Sequence, residues 1–190
     1  MRYYPVLLDL KDRACCVVGG GAVAERKVRS LVRCGARVTV ISPALSAGLS
    51  KSVKAGTATC IRSGFRAGML RGFFLAVAAT DDVKVNHAVY REACRRGIQV
   101  NVVDDPAAST FIVPSSIGSN GLIISISTSG KAPCVAKQMR RELEKSFVPR
   151  YSRLVACVSR ERDRLKAQEP DARRRGKLIK RFLRSRRSPR

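Results

Sequence analysis

Several features that mark particular classes of protein are missing from this sequence. It has a single histidine, His87, and no His, Cys, Asp and Glu side chains at metal-ligand spacing, so we expect no resident metal. No apolar run is long enough for a membrane-spanning helix. Residues 1–5 do not form a secretory signal. These absences predict a cytoplasmic globular protein that has no membrane contact, and a lone histidine on a helix is not expected to be catalytic.

Cysteine is present without the spacing that would give it a special role. There are seven cysteines, an odd number, and none forms a C-x-x-C pair. Several fall within apolar stretches, where cysteine behaves as a small hydrophobic residue. We therefore predict buried, reduced thiols rather than a zinc site or a disulfide framework.

Acidic residues are scarce, and the scarcity is uneven. The chain has 38 Lys and Arg against 14 Asp and Glu, a formal charge of +24. Residues 151–190 alone carry 15 basic against 4 acidic residues. A surface of this kind suits a nucleic acid, an acidic lipid or a small molecule with several carboxylates. It is also compatible with a solvated tail, and charge alone does not decide.

The most specific motif lies near the amino terminus of the chain. The apolar run 14–18 ends in Gly19-Gly20-Gly21, and apolar residues then recur at helical spacing from Ala24. This order of strand, tight turn and helix presents a helix N-terminus to a pyrophosphate. Gly19 allows the turn, Gly21 lets the backbone approach the phosphates, and Ala24 lets the helix pack closely on the strand. The motif predicts a dinucleotide site.

Strand and helix patterns alternate through the first part of the chain. The first predicted strand ends at Val18, and the next four cover residues 38–41, 58–62, 73–79 and 98–103. These strands alternate with predicted helices such as 82–96. The alternation predicts an α/β fold with a Rossmann-like doubly wound parallel sheet.

The pattern changes after residue 113. Strands are predicted at 110–114 and 121–127 around a turn at 118–121, then a helix from Pro133 to about Phe147 that Thr128 or Ser129 would cap. Residues 151–190 read as one or two basic helices with a frayed end at 185–190. The predicted domains are therefore 1–113, 114–148 and a basic helical segment, 149–190.

Polar groups follow the fourth and fifth strands, where a bound cofactor should lie. Thr80 follows one strand, and Asn101 and Asp104 end the next. A carboxylate at this edge could accept a proton as hydride leaves for a nicotinamide, and we assign that role to Asp104. Asp81 and Asp82 are better explained as helix caps. Asp105, directly before proline, is better explained by a turn.

A ribose-binding acid is absent after the second strand, where the chain reads Ser42-Pro43-Ala44. Ser42 or backbone groups could hold the ribose instead, so the residues themselves leave NAD and NADP open. The loop 127–131 offers the hydroxyls of Thr128 and Ser129 and the ammonium of Lys131 at a helix start. Such a loop suits a carboxylate, or is an ordinary helix cap.

Together these pieces resemble the precorrin-2 dehydrogenase family, the N-terminal part of sirohaem synthases and their free-standing relatives. The resemblance covers roughly residues 2–147. It is carried, in order, by Tyr4-Pro5-Val6, Leu10, residues 17–27, Gly35–Thr39, Ala78–Asp82, Val85-Asn86, Asn101–Asp104, Phe111–Pro114, Ser127–Gly130 and Pro133.

The resemblance implies a homodimer that joins an NAD-binding domain to a small α+β dimerisation domain. It implies NAD-dependent oxidation of precorrin-2 to sirohydrochlorin, and in some members insertion of ferrous iron into the product. It places Asp104 in catalysis and Thr128 and Ser129 beside the tetrapyrrole. Asn101 at the strand end and Lys131 in the loop are predicted from their positions as further substrate contacts. It assigns NAD contacts to Gly21, Ala22, Val23, Pro43 and Ala44. The eight carboxylates of precorrin-2 would match the basic surface.

The alternative is a dinucleotide-sensing module without chemistry that binds nucleic acid through residues 173–190. That segment has only Phe182 as an aromatic, which argues against base stacking and makes a nucleic-acid partner the weaker expectation. Transient Fe²⁺ or Co²⁺ as a chelatase substrate, and the end product of the pathway, stay open.

Overall fold

The computed structural model describes residues 2–186. The chain divides into two compact units, Met1–Val113 and Pro114–Arg190, called unit 1 and unit 2 below. None of the helices in the described part is both long and apolar enough to cross a membrane.

Unit 1 is a parallel sheet with helical crossovers, which confirms the predicted Rossmann-like fold. Its strands are β1 (Ala14–Val18), β2 (Arg37–Ile41), β3 (Thr59–Ile61), β4 (Leu75–Ala78) and β5 (Gln99–Val102). They lie in the order β3-β2-β1-β4-β5, with every neighbouring pair parallel. The helices are α1 (Ala22–Arg33), α2 (Ala47–Lys54) and α3 (Val83–Arg95). The strand order reverses beside β1, and ligands of such sheets bind at that point.

The two faces of the sheet form two hydrophobic clusters, and adjacent residues of β1 supply both. Cys15 packs in the cluster that contains Ala24 and Val28 of α1, and Cys16 in the cluster that contains Val89 of α3. Alternation along a strand sends successive side chains to opposite faces. Both thiols are fully buried, and burial raises the pKa of Cys15 to about 11 and that of Cys16 to about 12.

The prediction of buried, reduced thiols is therefore confirmed for these two cysteines. It is wrong for Cys34, Cys94 and Cys134, which are free but exposed because they lie at a helix end or on outward helical faces.

Unit 2 begins with a hairpin of β6 (Ser115–Ser119) and β7 (Leu122–Ile126). The predicted hairpin and its second strand are confirmed, whereas the predicted first strand at 110–114 is wrong and the turn is shorter than the predicted 118–121. The turn is Asn120-Gly121, with φ of 47° and 80°, the positive values that a two-residue type I′ hairpin needs. Gly118 is part of β6 and pairs with Ile123.

Three helices complete unit 2: α4 (Pro133–Ser146), α5 (Val148–Gln168) and α6 (Ala172–Ser185). The predicted basic tail therefore contains two helices, the first of which begins before residue 151. Asp171 separates them because its carboxylate accepts hydrogen bonds from the N–H groups of Arg173 and Arg174, at 2.7 and 3.2 Å. Residues 187–190, part of the predicted frayed end, lie outside the described residues.

Candidate functional site

The glycine turn between β1 and α1 is fixed by close packing of backbone on backbone. Gly19 has φ of +126°, and a Cβ there would collide with the carbonyl group of Ala79. A Cβ on Gly20 would collide with the carbonyl oxygen of Ala44 and lie 2.6 Å from the Ser42 Oγ. These two glycines are required by the protein itself, independent of any ligand.

Gly21 differs from its two neighbours. It is exposed, and no described atom lies within 4 Å of the position that a Cβ would take. Gly21 is also the N-cap of α1, and within the described residues no side chain caps that helix end. The first N–H groups of a helix need partners from outside, and an anion supplies them. The open approach and uncapped helix end fit a pyrophosphate.

The first turn of α1 follows directly. Ala22 is exposed and Val23 is half-buried, whereas Ala24 is fully buried against the sheet. The close contact predicted for Ala24 is confirmed by this burial.

The loop after β2 packs against the glycine turn. The Ser46 N–H donates to the Gly20 carbonyl at 2.8 Å. Ser42 is buried, and its hydroxyl donates to the Ala44 carbonyl at 2.7 Å. Pro43 and Ala44 are exposed. The loop is thus held next to the turn, with the Ser42 proton already engaged by the backbone.

A contact that sequence reasoning missed links this loop to α1. The Ser46 hydroxyl donates to Glu25 Oε2 at 2.6 Å and accepts from the Leu49 N–H at 3.2 Å, so that Ser46 caps α2. Glu25 also accepts from Arg29 at 2.7 Å. The missed signal for α2 was a serine directly before a short run with Leu49 and Val53 at helical spacing.

At the end of β4, the backbone of Thr80 is held by Asn86. The amide of Asn86 donates to the Thr80 carbonyl at 2.9 Å, and its Oδ1 accepts from the Thr80 N–H and hydroxyl at 3.2 and 2.8 Å. Asn86 is buried in α3 and sequence reasoning did not assign it a role. The predicted helix cap is confirmed, since Asp82 Oδ1 accepts from the N–H groups of Lys84 and Val85. Asp81 is exposed.

At the end of β5, the buried Asn101 joins two segments. Its Nδ2 donates to the Phe111 carbonyl at 3.2 Å, and its Oδ1 accepts from the Nζ of Lys27 at 3.3 Å. Burial and the nearby Arg26 lower the pKa of Lys27, and the charge of Asp104 opposes that shift. Lys27, which was not predicted as a site residue, therefore places a partly buried ammonium beside the end of β5.

Asp104 and Asp105 have different surroundings. Asp104 is exposed and has φ of +60°, a strained conformation that Asp tolerates better than most residues. Asp105 Oδ1 accepts from the N–H groups of Ala107 and Ala108 at 3.1 and 3.0 Å, which confirms its role in the turn. The hydrogen bond from the Ala108 N–H has the largest effect on the pKa of Asp105 and lowers it. Burial opposes this effect, but the Ala107 N–H and His87 add to the lowering, so that the pKa stays below its usual value.

His87 is half-buried, and its Nε2 lies 3.3 Å from Asp105 Oδ2. Asp104 is therefore the carboxylate left free for chemistry, while its neighbour is engaged in the turn.

In unit 2, the loop before α4 presents hydroxyls and one ammonium. Ser129 and Lys131 are exposed, and Thr128 is half-buried. Thr128 and Ser129 are not the N-cap of α4 as predicted, because the cap position falls at Ala132. The Thr128 hydroxyl nevertheless accepts from the Ala132 N–H at 3.1 Å. With φ of 56° at Ser129, the loop turns sharply before the helix begins.

Among residues 2–186, no three His, Cys, Asp or Glu side chains come together in a way that would hold a metal ion. The groups available for chemistry in unit 1 are thus the uncapped helix end, the glycine backbone, the Lys27 ammonium and the Asp104 carboxylate.

Comparison with known proteins agrees with this geometry. The profile of a family described as putative NAD(P)-binding matches residues 6–115, more than half of the chain. The chain belongs to this family. A second profile, described as sirohaem biosynthesis protein central, matches residues 120–146. The family indicates a nicotinamide dinucleotide as the cofactor, without deciding between NAD and NADP.

Curated relatives and a solved structure confirm the predicted resemblance. The siroheme synthase of Methylobacillus flagellatus is 44% identical over 166 residues, 87% of this chain and 36% of that protein. The siroheme synthase of Nitrosomonas europaea is 42% identical over 167 residues, 87% of this chain and 35% of that protein. The chain thus spans about a third of the length of these relatives. The solved structure of SirC, a precorrin-2 dehydrogenase, is 26% identical, with a TM-score of 0.82 over 95% of this chain and 89% of that one.

Proposed function

We propose that this chain oxidises precorrin-2 to sirohydrochlorin with NAD as the hydride acceptor. The observation that carries the proposal is the likeness to SirC, a precorrin-2 dehydrogenase, which extends over 95% of the chain and so includes most of both units. The reaction removes two hydrogens from the macrocycle, one as hydride to NAD and one as a proton, so electrons and atoms balance without a further oxidant.

The glycine turn and the first turn of α1 hold the cofactor in this proposal. The uncapped N–H groups that follow Gly21 would bind the pyrophosphate, and the exposed backbone at Pro43 and Ala44 would hold the adenosine ribose. NAD supplies the acceptor for the hydride. The loop 42–46 contains no Lys or Arg to pair with a 2′-phosphate, which supports NAD over NADP. Thr80, whose backbone Asn86 fixes, borders the same edge of the sheet.

Asp104 accepts the proton that the macrocycle loses. Its carboxylate is exposed, whereas that of Asp105 is engaged by backbone N–H groups and His87. The charge of Asp104 favours the ionised form of Lys27, so an ammonium and a carboxylate face the same end of β5. General-base assistance of this kind contributes about 10²- to 10⁴-fold to a rate.

Substrate carboxylates are bound by polar and cationic groups. Thr128, Ser129 and Lys131 are the proposed contacts in unit 2, whereas the buried amide of Asn101 in unit 1 positions Lys27. The formal charge of +24 favours capture of a substrate with eight carboxylates. We further propose that the enzyme is a cytoplasmic homodimer. If Fe²⁺ or Co²⁺ is inserted into the product as a second substrate, Asp104 would also accept the pyrrole protons.

The variant Asp104→Asn tests the proposal. We expect turnover of precorrin-2 with NAD to fall about 10²-fold or more, because the amide cannot take up the proton. NAD affinity and the unfolding midpoint should stay at wild-type values, since the Asp104 side chain is exposed. The matched control is Asp81→Asn, an exposed carboxylate that is assigned no role in the reaction. Wild-type turnover in Asp104→Asn would remove this residue from the mechanism.

A further inference from the structure

The two basic helices of unit 2 enclose a concave groove that the proposed reaction does not use. It has a volume of about 1030 Å³ and lies between the first half of α5 and the last turns of α6. We call it the α5/α6 groove. Its cationic lining residues are Arg150, Arg153, Lys180, Arg184 and Arg186.

The positive charge of the groove has no acidic counterpart. None of its described lining residues is Asp or Glu, and within residues 2–186 none of the five cations forms an ion pair. Elsewhere in unit 2, Arg140, Arg164 and Arg174 are each paired with a glutamate. The Nε of Arg153 donates to the Pro149 carbonyl, which orients the guanidinium without neutralising it. Cations held at close quarters in this way favour a multivalent anion.

The rest of the lining is apolar and partly flat. Leu154 and Leu183 contribute aliphatic surface. The ring of Tyr151 stacks on that of Phe147, with centroids 4.3 Å apart and an interplanar angle of 14°. The Arg150 guanidinium lies 5.5 Å from the Tyr151 centroid. Apolar surface and five cations in one groove match a macrocycle that carries its carboxylates around its edge.

Size and composition distinguish the class of anion. Pockets for single organic molecules have volumes of about 300–1,000 Å³, so this groove suits a large macrocycle. Single-stranded nucleic acid relies on successive aromatic side chains for its bases, and the described groove lining offers Tyr151 alone.

We propose that the α5/α6 groove binds a polycarboxylate macrocycle, through its five cations and its apolar lining residues, as a holding site for tetrapyrrole within unit 2. The choice of macrocycle rests on the proposed function, because precorrin-2 and sirohydrochlorin are the polycarboxylate macrocycles that the chain would handle.

The test is a fluorescence titration of the full chain with uroporphyrin, a porphyrin with eight carboxylates. The groove variant is Arg153→Gln, Lys180→Gln and Arg184→Gln together. The matched control removes three exposed cations of the same helices outside the groove, with Arg160→Gln, Arg162→Gln and Arg181→Gln. We expect at least tenfold weaker binding at the groove in the first variant and less than a threefold change in the control. Coproporphyrin, which has four carboxylates, should bind more weakly to the wild type and depend less steeply on salt.

Circular dichroism establishes that the variants keep their helices, and the single change Lys180→Glu repeats the test if the triple variant does not fold. Equal losses in the groove variant and the control, or no uroporphyrin binding to the wild type, would overturn the proposal. Tighter binding of a 20-nucleotide strand through the same three residues would also overturn it, in favour of a nucleic-acid site.

The precorrin-2 assay separates this proposal from the proposed function. The groove variant should oxidise precorrin-2 with a kcat within twofold of wild type, because none of its residues is placed in the reaction. If uroporphyrin binding depends on the groove but precorrin-2 is not oxidised, the proposed function is refuted and the groove site is retained. If precorrin-2 is oxidised normally but uroporphyrin binding does not depend on the groove, the groove site is refuted and the proposed function is retained.

Discussion

Unit 1 and unit 2 hold their functional groups in different ways. In unit 1, buried polar side chains fix the segments at the strand ends: Asn86 holds Thr80, and Asn101 holds Lys27 and the Phe111 carbonyl. In unit 2, the candidate groups are mostly exposed side chains on a loop and on two basic helices.

The difference in burial explains this contrast. Of the buried apolar residues of the described chain, only Ile117, Ala136, Val148 and Leu165 belong to unit 2. Unit 1 therefore sets its geometry by close packing, whereas unit 2 acts through charge. Substitutions that change the shape of a side chain should lower the free energy of unfolding strongly in unit 1. Substitutions that change only charge should alter it little in unit 2.

The largest effect is expected from Gly19→Ala. The new methyl group would collide with the carbonyl group of Ala79, at a φ that disfavours alanine. We expect the free energy of unfolding to fall by about 3 kcal/mol or more. Urea unfolding measures this loss.

Gly21→Ala is the matched control. Its Cβ meets no described atom and φ at this position is −83°, so stability should change by less than about 1 kcal/mol. NAD affinity should nevertheless fall, because the methyl group occupies the approach to the helix end. Equal destabilisation by the two substitutions would contradict the distinction between a packed and an open glycine.

Glu92→Gln should have the next largest effect. The buried carboxylate accepts from the N–H groups of Gly68 and Leu70 at 2.9 and 3.1 Å and from Arg96 at 2.9 Å. A neutral amide has a single acceptor oxygen, so one backbone N–H loses its partner, at a cost of about 2 kcal/mol.

The same substitution has a predicted pH dependence. Burial alone would raise the pKa of Glu92, but the two backbone hydrogen bonds and Arg96 outweigh it and lower the pKa. A carboxyl group whose pKa is lowered by folding stabilises the folded state at pH values above its unfolded-state pKa of about 4.3. That stabilisation is lost as the pH falls through the folded-state pKa. The deficit of Glu92→Gln should be full above about pH 5 and shrink at lower pH. A deficit independent of pH in urea titrations would show that the ionised form is not what holds the loop.

Lys27→Met separates stability from chemistry within unit 1. Loss of the hydrogen bond to Asn101 is offset by relief of ammonium burial, so unfolding should change by less than about 1 kcal/mol. Turnover should fall, because the cation beside Asp104 is removed. A variant with wild-type kcat and KM would restrict Lys27 to a packing role.

The smallest effect is expected in unit 2, from Arg140→Gln. This arginine pairs with Glu144 at 2.6 Å on the surface of α4, and exposed pairs four residues apart contribute about 0.5 kcal/mol or less. A loss comparable to that of Glu92→Gln in thermal or urea unfolding would show that unit 2 depends on its ion pairs far more than its exposure implies.

The local parts of the fold could be predicted from sequence. The predicted strands include all five strands of the parallel sheet. β1, β2, β4 and β5 are mostly buried, which leaves a clear apolar signal, whereas β3 is exposed at Thr59 and Ile61 and carries a weaker one. The segment 110–114 is rich in strand-forming residues, yet Thr110 pairs with Val100 through its own hydroxyl as well as its N–H. The N–H of Val100 thus donates to a side-chain oxygen where a paired strand would offer a backbone carbonyl, so the β-ladder does not continue. The strand propensity of these residues cannot show this.

The site was only partly predictable for a similar reason. The glycines and Asp104 lie at motif positions that a single sequence shows. The contact of Lys27 with Asn101 joins residues 74 apart, and that of Ser46 with Glu25 joins residues 21 apart. Such pairings depend on how helices pack on the sheet, which no local pattern encodes.

The most direct test of the central claim is an anaerobic assay of the purified chain with precorrin-2 and NAD, in which NADH and sirohydrochlorin are followed together by absorbance. We predict one NADH for each sirohydrochlorin, with NADP much less effective as the acceptor. A folded chain that binds NAD but forms neither product would contradict the proposed dehydrogenase activity.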